Sequence, residues 1–319
     1  MLHISHNKPV EADASCEVNQ ERGKMRTSEP KNPKAETDST YVLDAESEVE
    51  LSRLLLQDRL LTGEMGGVWS EQADVSGIQY ILDLACGPGG WVLDVATTYP
   101  EKDVMGVDSS QLMISYAQAQ AHTVQLKNAD FAVMDVSRPL PIPDASFDLI
   151  NARYLVGVLH REKWPLLIEE CWRLLRPGGI LRLTEPELPV TNSVACDRLN
   201  EAITLAMHQI GYGFSPRGHQ FGMLMELEPL LRAAGFEQRH VHTSVTNASS
   251  GAKNHEINTQ NLKMIYSQVQ PLLLKLGQAT SAEELSTLYE QASSDMQGEN
   301  FHSIQIYLTA WGRKPIEIS

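Results

Sequence analysis

Between Ile81 and Trp91 the chain reads ILDLACGPGGW, an arrangement suited to holding a small polar cofactor. Ile81, Leu82 and Leu84 form an apolar run of the kind that makes a buried parallel strand. Gly87, Gly89 and Gly90 follow in a turn where missing side chains let the backbone approach a ligand. From Trp91 a helix can begin, its amide-rich end aimed at that turn. A nucleotide-like ligand also needs a carboxylate about 20 residues further on for its ribose hydroxyls. Asp108 meets that need at the end of a second apolar run, Val104 to Val107. The same pair would serve a dinucleotide enzyme, but the GxGxxG fingerprint requires its third glycine where this chain has Val92.

These residues need strands to carry them, and the pattern supplies a series. Asn128 to Val136 predicts a third strand ending at Asp135, and Phe147 to Asn151 a fourth, with Asn151 and Arg153 at its carboxyl end. The segment LLRPGGILRLTEPE places a Pro177-Gly178-Gly179 turn between a helix and a fifth strand. Gly235 stops a later helix, Phe236 leads into a sixth strand with Val241 and Val245, and Ser303 to Thr309 alternates as a half-buried last strand. Strands separated by helices imply an open sheet that takes its ligands at the strands' carboxyl ends.

In order and spacing this set resembles the class I S-adenosylmethionine-dependent methyltransferase superfamily, in its small-molecule type. The resemblance spans roughly Tyr80 to Pro186, with looser agreement beyond. It implies an α/β fold: a doubly wound, seven-stranded, mostly parallel, Rossmann-like sheet with an antiparallel last strand and helical cap insertions. It implies S-adenosyl-L-methionine as cofactor and transfer of a methyl group to a small organic acceptor by in-line displacement. Carried over position by position, Asp83 would orient the methionine amino group, and Gly87 and Gly89 would let the backbone approach the cofactor. Asp108 would take the ribose hydroxyls on its two oxygens. Ser109 and Met113 would flank the adenine, Asp135 would accept from its amino group, and the Val136 amide would serve a ring nitrogen. Asn151 and Arg153 would complete the cofactor set. Ala85 stands where many members have glycine, and its small side chain is compatible with an intact site.

Every one of these motifs concerns the cofactor rather than the reaction, which leaves two other readings open. One is a cofactor-using enzyme of the same fold that performs cyclisation or aminocarboxypropyl or aminopropyl transfer. The other is a non-catalytic cofactor-binding module, whose mark would be a damaged loop; Asp83, Gly87, Gly89 and Asp108 are all present.

Composition bounds the rest. Residues 1–40 are rich in Glu, Lys, Ser, Asn and Pro without periodicity, the composition of a flexible tail, with a pairing arm in a homodimer as the competing use. Residues 41–75 read as a helical lid segment and 76–186 as the cofactor-binding core. Residues 187–228 read as a cap or substrate insertion, and 229–319 as the remainder of the core with a helical insertion at about 254–298. Of 319 residues, 42% are hydrophobic, enough for a core. The net charge of −15, with no run of Lys or Arg against it, disfavours nucleic-acid partners. No apolar stretch reaches membrane-spanning length and no signal-peptide core is seen, so a cytoplasmic enzyme is expected. Cys16, Cys86, Cys171 and Cys196 show no paired spacing, in keeping with reduced thiols.

Within the lid segment, Leu51, Leu54, Leu55, Leu60 and Leu61 give an apolar face, while Arg53 and Gln57 share a polar one. An N-terminal helix in this superfamily often covers the cofactor pocket. The resemblance therefore makes Tyr41 and Arg53 candidates for substrate binding and Gln57 for cofactor binding, against the plainer reading of surface polar residues. Should the acceptor need to lose a proton, His160, Glu185 and His219 are the candidate bases, with His208 behind them. A surface histidine beside Arg161 and a carboxylate capping the Pro186 turn are the structural alternatives for the first two. His240 and His242 share a strand face near His255, but no carboxylate or cysteine spacing completes a metal site, and none is expected.

Overall fold

The computed structural model describes residues 17–19, 24–26, 41–69, 71 and 75–316. Strands β1 (Glu17–Asn19) and β2 (Lys24–Arg26) pair antiparallel. The rest of the segment 1–40, Cys16 included, lies outside the described residues, and so does the flexible-tail expectation that falls on it.

The core is a twisted sheet built from β3 (Tyr80–Leu84), β4 (Asp103–Asp108), β5 (Ala129–Val133), β6 (Phe147–Arg153) and β7 (Leu175–Pro186), all parallel. Two further strands, β9 (Glu237–Asn247) and β10 (Ser303–Arg313), follow the two-residue β8 (Val190–Thr191). The spatial order is β5-β4-β3-β6-β7-β10, and β10 runs antiparallel between β7 and β9. β8 pairs with the start of β10 and adds a short piece to the expected seven strands. The chain leaves β3 toward β5 and then returns to β6 on the other side of β3. That reversal opens a crevice at the carboxyl ends of these strands.

Both faces of the sheet are covered, which is why β3, YILDL, is buried almost throughout. On one face Ile81, Val104 and Leu149 pack with Trp91, Val92 and Val95 of α2 (Gly90–Thr98) and with Ile114 and Ala117 of α3 (Gln111–Thr123). On the other, Leu82, Ile150 and Leu181 pack with Leu167, Ile168 and Cys171 of α4 (Trp164–Leu174) and with Leu231 of α6 (Leu227–Ala233). The odd–even split along each strand produces this division directly.

The remaining helices, α1 (Glu48–Glu64), α5 (Val194–Gln209), α7 (His255–Lys275) and α8 (Ala282–Asp295), pack on one another as a cap drawn from three distant parts of the sequence. Ser47, Ser193 and Ser281 start α1, α5 and α8 by accepting from amides of their first turns. The cap at Ser47 shortens the helical lid expected from Tyr41, and residues 41–47 form a non-helical strap instead. α7 begins at His255, close to the start of the expected insertion, with buried Asn258 and Thr259 on its inner face. Asp135 lies past the end of β5, in the following loop. Among the described residues no helix is long and apolar enough to cross a membrane. Cys86, Cys171 and Cys196 are free thiols.

Candidate active site

A cavity of about 640 Å³ fills the crevice between the strand ends and the cap. Asp83, Ala85, Gly87, Asp108, Ser109 and Met113 line it, and Asp135, Val136 and Arg153 continue the same wall. Tyr41, Arg53 and Gln57 line it from the strap and α1.

The glycine loop and Asp108 are joined. The Gly87 N–H donates to Asp108 Oδ2 and the Ser110 N–H to Oδ1, each at 2.9 Å. Each carboxylate oxygen keeps a lone pair for a further donor. Burial pushes the Asp108 carboxyl above its ordinary range against the pull of those amides. Gly87 has φ +54 and faces the cavity, whereas Gly89, at φ +80, does not reach it. A Cβ on Gly89 would stand 2.6 Å from the Phe131 ring and 2.8 Å from Ala117. Its bareness lets α2 and α3 close on the sheet, a packing role rather than a ligand-facing one.

Asp83 is held from behind by a buried row. Asp83, Asn151 and Arg182 are register partners across β3, β6 and β7. Asn151 Nδ2 donates to Asp83 Oδ1 at 2.7 Å, Arg182 Nη1 donates to Asn151 Oδ1 at 2.6 Å, and Arg182 Nε donates to Glu71 Oε1. Asn151 therefore sits inside the sheet and orients Asp83 instead of lining the cavity. Burial pushes the Asp83 carboxyl up to about 7, opposed by the Arg153 guanidinium and the Asn151 amide. Arg153 is itself paired with Asp58 of α1 and donates to Thr62 Oγ1 at 3.2 Å.

The strap closes one side. Val42 N–H donates to the Gly157 carbonyl at 3.1 Å, and Ser110 Oγ donates to the Ala45 carbonyl at 3.0 Å. The Glu46 carboxylate accepts from the Gln111 and Leu112 amides at the start of α3. Above the strap, Glu50 and Arg53 form a buried ion pair at 2.6 Å, and Tyr41 Oη donates to Glu50 at 2.5 Å. Arg53 Nη1 also donates to Gln57 Oε1 at 2.6 Å and to Asn261 Oδ1 at 3.3 Å.

The three candidate bases lie away from the cavity wall. His160 packs on Tyr212, with ring centroids 4.2 Å apart. Glu185 is buried under the turn after β6, where it accepts from the Leu155 and Val156 amides at 2.7 and 3.1 Å; burial pushes it up to about 8. His219 is exposed beside Glu201, 3.2 Å away. His240 stacks on Trp311, and among the described residues no cluster of His, Cys, Asp or Glu is placed to hold a metal ion. Glu46, Asp58 and Asn261 were not anticipated. Their partners are far away in sequence, and no local pattern marks them.

The strand order, the glycine loop and the acidic wall coincide with a match of residues 81–179 to the family model described as a methyltransferase domain. Over these residues, about a third of the chain, the protein is similar to a methyltransferase domain. Among curated proteins, this domain's neighbourhood is 31% identical over 121 residues to a demethylmenaquinone methyltransferase of Lactococcus lactis, covering 37% of this chain and 46% of that protein. A trans-aconitate 2-methyltransferase of Deinococcus radiodurans is 30% identical over 158 residues, covering 50% and 55%. The chain thus spans about half the length of the curated relatives it matches. The YcgJ protein of Bacillus subtilis shares the fold, with a TM-score of 0.50 at 17% identity over 79% of this chain and 98% of that one.

Proposed function

We propose that the protein transfers a methyl group from S-adenosylmethionine to a small organic acceptor. The observation that carries this reading is the convergence of Asp83, Gly87, Asp108 and Asp135 on one cavity at the strands' carboxyl ends. The residues fit the cofactor by charge and by free valence. Its sulfonium and ammonium are cationic and the wall is acidic, and both Asp108 oxygens retain an acceptor site beside their backbone partners. In this reading Asp83 holds the methionine ammonium, Asp108 the ribose hydroxyls, and Asp135 with the Val136 amide the adenine edge. Ser109 and Met113 flank the ring, and Arg153, paired with Asp58, borders the methionine end. Ala85 and Gly87 let the backbone close in, and Gln57, expected on the cofactor, borders the acceptor instead. When bound, the cofactor supplies a methyl group already activated on sulfur. The chain's contribution is to align the acceptor and exclude water, worth up to about 7–11 kcal/mol for ideal alignment. Arg53 and Tyr41 act through their neighbours as positioning residues, since their polar atoms are engaged by Glu50.

Calorimetry with S-adenosylhomocysteine is expected to show one site per chain. Turnover with an active acceptor is expected to release one S-adenosylhomocysteine per product, which separates methyl transfer from cyclisation or aminopropyl transfer. Absence of binding would sink the reading. Demethylmenaquinone and trans-aconitate, the compounds in the relatives' names, belong in the first acceptor panel.

A pH dependence follows from Asp83. With its carboxyl up to about 7 in the free protein, a proton occupies it below that pH. A bound ammonium favours the ionised form, so binding below about pH 7 must displace the proton. Affinity is expected to rise from about pH 5.5 to 7.5, by no more than about tenfold per unit, and then to level off. Titrations in two buffers of different ionisation enthalpy should report proton release at the acidic end. A flat profile would detach Asp83 from the ammonium.

A further inference from the structure

The cap side of the cavity differs in kind from the cofactor side. Its wall is aliphatic: Leu54 and Leu61 from α1, Ile203 and Met207 from α5, Ile265 and Val269 from α7. The cationic side chains among the described lining residues are Arg53, Arg138 and Arg153, and each is already engaged by a carboxylate: Glu50, Asp135 and Asp58. Glu187, the acid on the cap side, accepts from the Phe221 and Gly222 amides at 2.8 and 2.6 Å. A carboxylate or phosphate on the acceptor would enter without a counter-ion into an acidic cavity. An ammonium on the cap side would face aliphatic walls and a carboxylate already bonded. Burying either unpaired charge is expensive.

Among the polar groups of that side, Gln57 and Asn261 have a fixed direction. A guanidinium only donates, so Arg53 Nη1 must be met by the carbonyl oxygens of Gln57 and Asn261. Both residues line the cavity, and with their oxygens on Arg53 the groups they have left to offer an occupant are NH₂ donors. A donor pair set in an aliphatic surround calls for an oxygen that accepts.

We infer that the acceptor is a neutral, predominantly apolar molecule bearing a carbonyl or hydroxyl oxygen that takes hydrogen bonds from Asn261 and Gln57. This rests on the methyltransferase reading above. The cavity must hold cofactor and acceptor together, and at about 640 Å³ it limits the acceptor to drug-like size or less. Among the relatives' named compounds the inference favours a quinone-like acceptor over a tricarboxylate.

The test uses the full chain saturated with S-adenosylhomocysteine and three probes of one shape: 2-naphthol, 2-naphthoate and 2-naphthylmethylammonium. Calorimetry is expected to show naphthol binding at least about tenfold tighter than either ion, a difference of about 1.4 kcal/mol. Asn261→Leu should weaken naphthol severalfold and leave S-adenosylhomocysteine affinity unchanged. Ile265→Lys, checked by circular dichroism, should reverse the preference toward naphthoate. Should either ion bind as tightly as naphthol in the parent protein, or naphthol fail to bind up to its solubility limit, the inference is overturned while the cofactor reading stands. Should S-adenosylhomocysteine itself fail to bind, the methyltransferase reading falls and the inference with it.

Discussion

Replacing Asp108 with alanine is expected to weaken binding of S-adenosylhomocysteine by about 100-fold or more, with the circular dichroism spectrum retained. The carboxylate stands at the end of β4 with one oxygen on the Gly87 amide and the other on the Ser110 amide. It both shapes the glycine loop and leaves two acceptor sites for vicinal hydroxyls. Hydrogen bonds to a charged group contribute about 1.5–3 kcal/mol each, so losing two places the effect at 100-fold or beyond. The fold survives because the exposed amides border a cavity that water can enter. Asp108→Asn keeps one acceptor oxygen and should lose less, about tenfold. An unchanged affinity in either variant would remove the ribose assignment and leave Asp108 as a loop brace.

The largest stability effect is expected at Arg182, which is remote from the cavity wall. It is 1% exposed and paired with Glu71, whose second oxygen, Oε2, finds no partner among the described residues. Arg182→Met strands that carboxylate in the interior and removes the donor that fixes Asn151. Breaking a buried pair in this way costs about 3–5 kcal/mol, readable as a drop in the urea midpoint with little change in slope. The double variant Arg182→Met, Glu71→Leu should recover most of the loss, since it removes both charges together. A function-specific readout accompanies it. Arg182 is among the groups that hold the Asp83 carboxyl down, so its loss raises that group further. The rise of cofactor affinity with pH should then move to higher pH. A loss below about 1 kcal/mol would mean that water reaches the pair.

The acidic wall of the cavity was legible because its residues sit where strands stop. Asp83, Asp108 and Asp135 each end or follow an apolar run, and strand ends on one side of an open sheet converge whatever the rest of the chain does. Asn151 shows the limit of that logic. It also sits near a strand end, but in register between Asp83 and Arg182 it is covered by them and does not line the cavity. It shares a face with Asp83, and its amide is taken up between Asp83 and Arg182, so its hydrogen-bond partners rather than nearness to a strand end decided its place. Glu185 is likewise an acid near a strand end, yet it braces the turn after β6. His160, after the fourth strand, and His219, in the SPRGHQFG loop, stand near the site in sequence, but sequence position carries no side-chain direction. On the cap side the lid residues Tyr41, Arg53 and Gln57 were legible as cavity contacts, but their long-range partners were not. Asn261 meets Arg53 across more than half the chain, and only the packing of α7 on α1 brings them together. Asp58 meets Arg153 in the same way.

The cavity lining runs in sequence from Tyr41 to Gln305, nearly the whole described chain. Cofactor and acceptor together would therefore meet the strap, the sheet and three cap helices, and their binding energy would be shared by segments that would otherwise loosen separately. A ligand at about 100 times its dissociation constant adds about 2.7 kcal/mol to unfolding. Because no segment of the wall is local, that increment should raise the melting temperature as a whole rather than protect one region. Thermal shift in the presence of S-adenosylhomocysteine is thus a direct screen for the second ligand, needing neither a known reaction nor a labelled product.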